Sequence, residues 1–356
     1  MRIASIVGAR PQFIKLAPIS QAIKELDNHL EHTIVHTGQH YDPSMSQAIF
    51  DGLQIPTPDF NLGVGSASHG AQTGEMIAGL EKILQQQRPD VVLVYGDTNS
   101  TLAGALAAVK IGIKVAHLES GLRSFNRQMP EEINRIAADH ISDLLLAPTE
   151  TAMGHLADEG LSGRSVLVGD VMTDVCFQVR DNILDGSPRV PNSSEYPAKY
   201  LLATLHRAEN TDDPVLLRRW LQALQNLDRD VVLVAHPRLV AKAADAGIEI
   251  QCGAVRAIEP LPYHQLVATV LDSDGVITDS GGLQKEAFLL GKLCTTMRRE
   301  TEWVETLDNS WNVLASQPSE LQNLVNRPVP TAHRVPYYGS GDAAEKSVQL
   351  LRETFK

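Results

Sequence analysis

The sequence predicts an α/β protein with two Rossmann-like domains, each a doubly wound parallel sheet. Three observations carry this. Short, continuously apolar, β-branched runs alternate with longer segments of helical period, the pattern of parallel strands covered on both faces. The alternation stops at a polar stretch rich in proline and serine, "DNILDGSPRVPNSSEYPA" (181–198), and then restarts. The chain of 356 residues is long enough for two domains of ordinary size.

In order, "IASIVG" reads as a buried strand that runs into Gly-Ala-Arg-Pro, and "FIKLAPISQAIKEL" as the helix behind it. Further strands are "HTIVHTG", "DVVLVYG", "KVAHLES", "LLLAPT" and "SVLVGD", with "TLAGALAAVKIG" as an intervening helix. A helix opens at Pro130, because proline is favoured at the first helical position and the acids Glu131 and Glu132 suit the positive end of the helix dipole. After the polar stretch come the strands "YLLATLH", "VVLVAHP", "IEIQC" and "GVITDSGG". Open parallel sheets bind ligands at the carboxyl ends of their strands, so two such sheets facing each other would enclose a cleft.

Bulk properties narrow the function. A net charge of −12 argues against general nucleic-acid binding, so an anionic ligand needs a local cluster of cations and backbone N–H groups. No stretch approaches the roughly 20 apolar residues of a membrane span. The start "MRIASIVGARPQFIK" is a strand and loop rather than a secretory signal. Cys176, Cys252 and Cys294 are scattered, with neither metal spacing nor a disulfide framework, which fits the cytoplasm.

Candidate site residues lie where strands end. Arg10 and Lys15 flank a helix start, an arrangement that suits a phosphate and equally describes a solvated loop. Asp97 follows "VVLVYG" and is either an N-cap or a functional acid. Glu119 follows an apolar strand directly; burying an unpaired carboxylate is costly, so it has a partner or a task. Glu131 and Glu132 bring a third carboxylate site to the same edge. In the second half, His206 and Arg207 end a strand, and a neutral-range imidazole suits proton transfer or phosphate binding. Ser280, Gly281 and Gly282 make a tight turn into a helix whose free N–H groups face an anion. Glu286, one turn on, can accept two hydrogen bonds from a ribose diol.

The chain resembles the non-hydrolysing UDP-N-acetylglucosamine 2-epimerases, which have the two-domain GT-B fold. The resemblance runs over nearly the whole chain and rests on "GARPQFIKLAP", "HTGQHYD", "VYGDTNSTLAG", "HLESGLRS", "MPEEINR", "LHRAEN" and "TDSGGLQKEA", in the family's order. It implies that Arg10, Lys15, Asp97, Glu119, Glu131 and His206 line the sugar and diphosphate region, with Asp97, Glu119, Glu131 and His206 catalytic. It places Arg135 near the phosphates, Ser280, Gly281 and Gly282 on a phosphate, Glu286 on the ribose, and the loop 259–266, including Leu261 and Leu266, beside the uracil. It also implies an N-terminal domain of residues 1–175, a C-terminal domain of 176–340, and a last helix in 341–356 that packs back on the first domain. Where the best-known bacterial members have "TERPE" this chain has "TEWVE", so Trp303 replaces a sugar-pocket arginine, with Arg298 and Glu302 nearby.

The implied reaction is C2 epimerisation of a UDP-sugar, UDP-N-acetylglucosamine to UDP-N-acetylmannosamine, without metal, NAD or other cofactor, by a cytoplasmic homodimer in polysaccharide precursor synthesis. Three alternatives stay open: C2 epimerisation of UDP-2,3-diacetamido-2,3-dideoxy-glucuronate, a hydrolysing epimerase, and a GT-B glycosyltransferase or nucleotide-sugar binder.

Overall fold

Val91–Tyr95, the sequence VVLVY, is buried at every position, as a strand covered by helices on both faces must be. It is β4 of a parallel sheet that also contains β1 (Arg2–Val7), β2 (Glu31–His36), β3 (Phe60–Asn61), β5 (Lys114–Leu118), β6 (Leu144–Ala147) and β7 (Ser165–Leu167). The spatial order is β3-β2-β1-β4-β5-β6-β7. This computed structural model describes residues 1–26, 29–39, 56–186 and 196–355, and leaves the side chain of Arg10 undescribed. The chain forms two units, Met1–Phe177 with Pro336–Lys356, and Gln178–Val335.

In the first unit the connecting helices are α1 (Arg10–Leu26), α2 (His69–Gln87), α3 (Asn99–Lys110), α4 (Pro130–Ile141) and α5 (Glu150–Asp158), followed by the first half of α6 (Val171–Leu184), whose residues from Gln178 on belong to the second unit. Leu16, Ile19 and Ile23 of α1 pack on Ile3, Leu93 and Leu118, together with Val348 and Leu351 of the last helix, α13 (Ala343–Thr354). On the other face Met76, Leu80 and Leu84 of α2 and the alanines of α3 meet Ile6, Val92 and Val94.

The second unit has β8 (Leu201–Thr204), β9 (Val231–Val234), β10 (Val255–Ile258), β11 (Gly275–Thr278), β12 (Cys294–Thr296) and β13 (Asn312–Leu314). Their order is β10-β9-β8-β11-β12-β13, again all parallel. The helices are α7 (Ala208–Thr211), α8 (Pro214–Gln225), α9 (Pro237–Asp245), α10 (Tyr263–Asp272), α11 (Gly281–Leu289) and α12 (Leu321–Val325). The apolar stripe of α8, Leu217, Trp220, Leu221 and Leu224, fills the core beside Leu201, Leu233 and Ile277.

Each sheet reverses its strand order once, between β1 and β4 and between β8 and β11. Such switch points leave a crevice at the strand carboxyl ends, because the two flanking connections depart to opposite sides. The residues that follow these strands are Gly8 and Asp97 in one unit, His206 and Ser280 in the other.

The expected strand "IEIQC" is not a strand. The carbonyls of Glu249 and Ile250 instead accept from the side-chain amide of Gln225 (2.8 and 3.2 Å), and the strand follows at Val255–Ile258. The polar 181–198 stretch begins inside α6, which runs to Leu184. The "HTGQHYD" motif leaves the described residues at His40. Among the described residues no helix is long and apolar enough to cross a membrane.

Candidate active site

At the first switch point the β1 strand ends in Gly8, whose added Cβ would collide with the hydroxyl groups of Thr37 and Ser100. Its N–H and that of Ala9 donate to Gln12 Oε1 at 2.8 and 3.0 Å, which bends the chain into α1. Lys15, one turn into α1, is buried and donates to Glu119 Oε2. Glu119 thus has the partner that its burial demanded. Its φ of 70° lies in the left-handed region that costs a non-glycine residue energy, a strain characteristic of functional turns.

Asp97 follows Gly96, itself at φ 61°. Asp97 is not the cap of α3; Thr98 is, accepting from the backbone N–H of Thr101. The Asp97 carboxylate instead accepts from Arg135 Nη2, and Arg135 Nη1 lies 3.2 Å from Glu132 Oε2. A Cβ on Gly96 would stand 3.3 Å from Glu119 Oε2 and 3.4 Å from Lys15 Nζ, so the two ion pairs occupy adjacent turns.

The two acids at the start of α4 divide sharply. Glu131 is exposed and makes no hydrogen bond or ion pair among the described residues. Glu132 is buried and accepts from the backbone N–H groups of Ser124 and Phe125 and from the Ser124 hydroxyl, each at 2.9 Å. Burial alone would push the Glu132 carboxyl up, but these donors and Arg135 outweigh it and hold it below the usual carboxylate range. Glu132, read as a helix-dipole residue, is therefore the clamp of the 124–125 loop.

Behind these turns lies a buried network that the sequence did not reveal. Asp139 of α4 accepts from His117 Nδ1 (2.7 Å), Arg123 Nη1 (2.7 Å) and the N–H of Gly121 (3.1 Å). Burial pushes its carboxyl up, and His117 and Arg123 more than offset this, leaving it low. Arg123 also forks onto Glu159 with both contacts at 2.7 Å.

At the second switch point, Asp279 is fully buried and collects the N–H groups of His206 (2.9 Å) and Arg207 (2.8 Å) and the amide of Asn210 (3.2 Å) on one oxygen, with His206 Nδ1 3.2 Å from the other. Burial would raise this carboxyl; the His206 and Arg207 donors hold it below its ordinary value. Asp279 was missed in the sequence, yet "ITDSGG" sets an acid directly after an apolar strand, the same signal that singled out Glu119. Ser280 caps α11, its hydroxyl accepting from Leu283 N–H at 3.4 Å, so Gly281 and Gly282 begin the helix with N–H groups available to an anion. Glu286 is buried in α11. Arg298 Nη1 donates to Glu302 Oε2 at 2.7 Å, and Arg207 lies 3.8 Å from the other Glu302 oxygen, next to Gly281. Trp303 is buried, with the ammonium of Lys285 3.9 Å from its ring centroid. Leu261 lies just before α10 and Leu266 in its first turn, both half-buried.

A family model described as UDP-N-acetylglucosamine 2-epimerase matches residues 22–352. The chain belongs to the UDP-N-acetylglucosamine 2-epimerase family. It is thus a member of an isomerase family of nucleotide-sugar epimerases. It is 45% identical over 359 residues, 99% of each chain, to a UDP-N-acetylglucosamine 2-epimerase homolog of Methanococcus maripaludis. It is also 45% identical over 327 residues, 90% of each chain, to the UDP-2,3-diacetamido-2,3-dideoxy-D-glucuronate 2-epimerase of Pseudomonas aeruginosa. Among solved structures, the Methanocaldococcus jannaschii UDP-GlcNAc 2-epimerase in complex with UDP-GlcNAc and UDP aligns with a TM-score of 0.86 at 35% identity, covering 99% of this epimerase chain and all of the other.

Proposed function

We propose that this epimerase interconverts UDP-N-acetylglucosamine and UDP-N-acetylmannosamine by eliminating UDP and adding it back. The observation that carries this is the pairing of strand-end carboxylates with cations: Asp97 with Arg135, Glu119 with Lys15. The C2 proton of the sugar is not next to a carbonyl, so it cannot be removed directly. Breaking the C1–O bond first gives C1 cationic character, which acidifies C2–H. A carboxylate takes that proton, leaving the glycal and free UDP. A second acid then protonates C2 from the opposite face, and a phosphate oxygen of UDP attacks C1. Inversion needs acids on both faces, and Asp97, Glu119 and Glu131 supply them. Arg10, Arg135, His206 and the Ser280-Gly281-Gly282 turn stabilise the departing diphosphate; Glu286 holds the ribose, and Leu261 and Leu266 flank the uracil. In this reading the first Rossmann-like unit handles the sugar and the second the nucleotide, and the enzyme works as a cytoplasmic homodimer.

A second reading is C2 epimerisation of the 2,3-diacetamido-glucuronate sugar. The equally high identity to the Pseudomonas enzyme favours it, as does Trp303 in place of an arginine. Incubation with each UDP-sugar in D2O, followed by proton NMR, separates the readings. Deuterium at C2 with an intact UDP-epimer supports epimerisation, and the accepted sugar names the substrate. Free sugar plus UDP would indicate hydrolysis. No C2 exchange in either sugar would discard both epimerase readings and leave a transferase or a binder.

A further inference from the structure

Three successive carbonyls of the turn that carries Asp97 are each held by a buried side chain. The Tyr95 carbonyl accepts from Gln12 Nε2 (2.9 Å) and Thr101 Oγ1 (2.6 Å), the Gly96 carbonyl from His117 Nε2 (2.7 Å), and the Asp97 carbonyl from Asn134 Nδ2 (3.0 Å). The Gly96 N–H is fixed as well, donating to the Leu118 carbonyl at 3.0 Å.

The histidine among these anchors is unusual. Its Nε2 faces a carbonyl and its Nδ1 faces a carboxylate, both of which only accept. Each ring nitrogen must therefore carry a proton, and a fully buried ring with two N–H donors is an imidazolium. Its charge is not stranded: His117 and Arg123 balance Asp139 and Glu159, a neutral quartet in which each charge touches an opposite one. The same Asp139 that holds His117 also accepts the N–H of Gly121, two residues after Glu119. Asp139 lies on α4, whose first turn carries Glu131.

We propose that His117 and Asp139 are positioning residues that hold the Asp97 turn, the Glu119 turn and the Glu131 helix at one fixed spacing. His117 orients the Gly96–Asp97 peptide, Asp139 ties that orientation to the Glu119 turn, and neither needs to touch substrate. Reactions that move one proton between two faces of a sugar depend on such spacing, since misplacements well under the length of a bond cost turnover. The proposal rests on Asp97 and Glu119 acting as acid or base in the epimerase reading.

Two measurements test it on the full-length enzyme. The first needs no variant: ¹⁵N-histidine labelling of the wild type should show one ring with both nitrogens protonated, as the Nδ1 and Nε2 contacts require. Spectra in which no histidine ring carries a proton on both nitrogens overturn the quartet. The second is C2 deuterium exchange in His117→Leu and His117→Gln, with melting curves recorded alongside. His117→Leu should lower kcat about 10- to 100-fold, up to the scale of a reacting group misplaced by about 1 Å, with KM changed less than about threefold. His117→Gln, which keeps one amide donor for the Gly96 carbonyl, should recover part of the loss. If the leucine variant does not fold, the glutamine variant and the ring spectrum decide. In an Asp97→Asn background His117→Gln should add no further loss of kcat, because it acts through Asp97. Multiplying losses, or wild-type kcat in a folded leucine variant, overturns the positioning role. A wild type inactive on both sugars removes the proposal together with the epimerase reading, whereas an active wild type with unaffected variants removes the proposal alone.

Discussion

Replacing Asp279 by asparagine separates the charge of this residue from its shape. One carboxylate oxygen receives three donors, the N–H groups of His206 and Arg207 and the amide of Asn210. The amide oxygen of an asparagine must stay there, since its NH2 would face three donors. The NH2 then takes the other oxygen's place, 3.2 Å from His206 Nδ1 and opposed to the His206 N–H, which also reaches that oxygen at 3.1 Å. That nitrogen, which faced a carboxylate, is forced to accept, so the ring proton must sit on Nε2. Three hydrogen bonds to a charged acceptor become neutral ones, at about 1 kcal/mol each. Lower burial cost for a neutral group offsets part of this, so a net loss of about 1–3 kcal/mol and a folded protein are expected. Turnover should fall by about 100-fold or more, following the wrong-tautomer logic of a buried Asp–His pair, and UDP should bind more weakly in titration calorimetry. C2 exchange followed by NMR across the pH range is the assay. Asp279→Asn with a lowered melting temperature but wild-type turnover and UDP affinity would show that His206 needs no oriented imidazole, and the argument fails.

Other substitutions read the remaining parts of the site. Asp97→Asn and Glu131→Gln should each cost at least about 100-fold in turnover with normal folding, the scale of a lost acid or base; near-wild-type deuterium incorporation at C2 would strike that residue from the mechanism. Arg135→Lys keeps the charge but cannot bridge Asp97 and Glu132 together, so UDP affinity should drop about tenfold or more; unchanged affinity would take Arg135 off the phosphates. Asp174 accepts from the N–H groups of Ala343 and Ala344 at the start of α13, yet burial, only partly countered by those donors and reinforced by Asp170 and Asp342, raises its pKa to about 6. A raised carboxyl contributes stability below its unfolded pKa near 4 and loses it as pH rises to about 6, an effect of up to about 3 kcal/mol. The melting temperature of wild type relative to Asp174→Asn should therefore fall between those pH values, and a pH-independent difference would contradict this.

What the sequence made legible is what local chemistry dictates. Runs such as VVLVY read as buried strands, because a short β-branched apolar run is a property of five adjacent residues. The strands β12 and β13, of sequence CTT and NVL, carry no continuous apolar run, whereas the equally short β7 lies in the run SVLV and is legible. At "IEIQC" the backbone is held by a distant side chain, Gln225, which no window around residue 250 contains. The carboxyl ends of strands at a switch point are equally local, so Gly8, Asp97, His206 and Ser280 could be picked out as candidates before any fold was known. Partnerships were not legible, because charges are matched across sequence separations that carry no periodic signal: Lys15 with Glu119, Asp97 with Arg135, His117 with Asp139.

The pair Glu131–Glu132 shows where the boundary lies. Proline at the helix start and the dipole account for acids at both positions and cannot tell them apart. The distinction arises from the loop before the helix, where Phe125 adopts φ 59° and turns two N–H groups onto Glu132. Once Glu132 is committed to that loop, its neighbour is left exposed at the same helix start. The helix dipole alone supports the exposed acid, whereas the buried one is also held by the donors of the loop. Exchange of each for glutamine turns that contrast into a measurement: loss at position 132 should appear as a lowered melting temperature, and loss at 131 as lowered turnover. The opposite assignment would mean that the exposed carboxylate is only a helix-start residue.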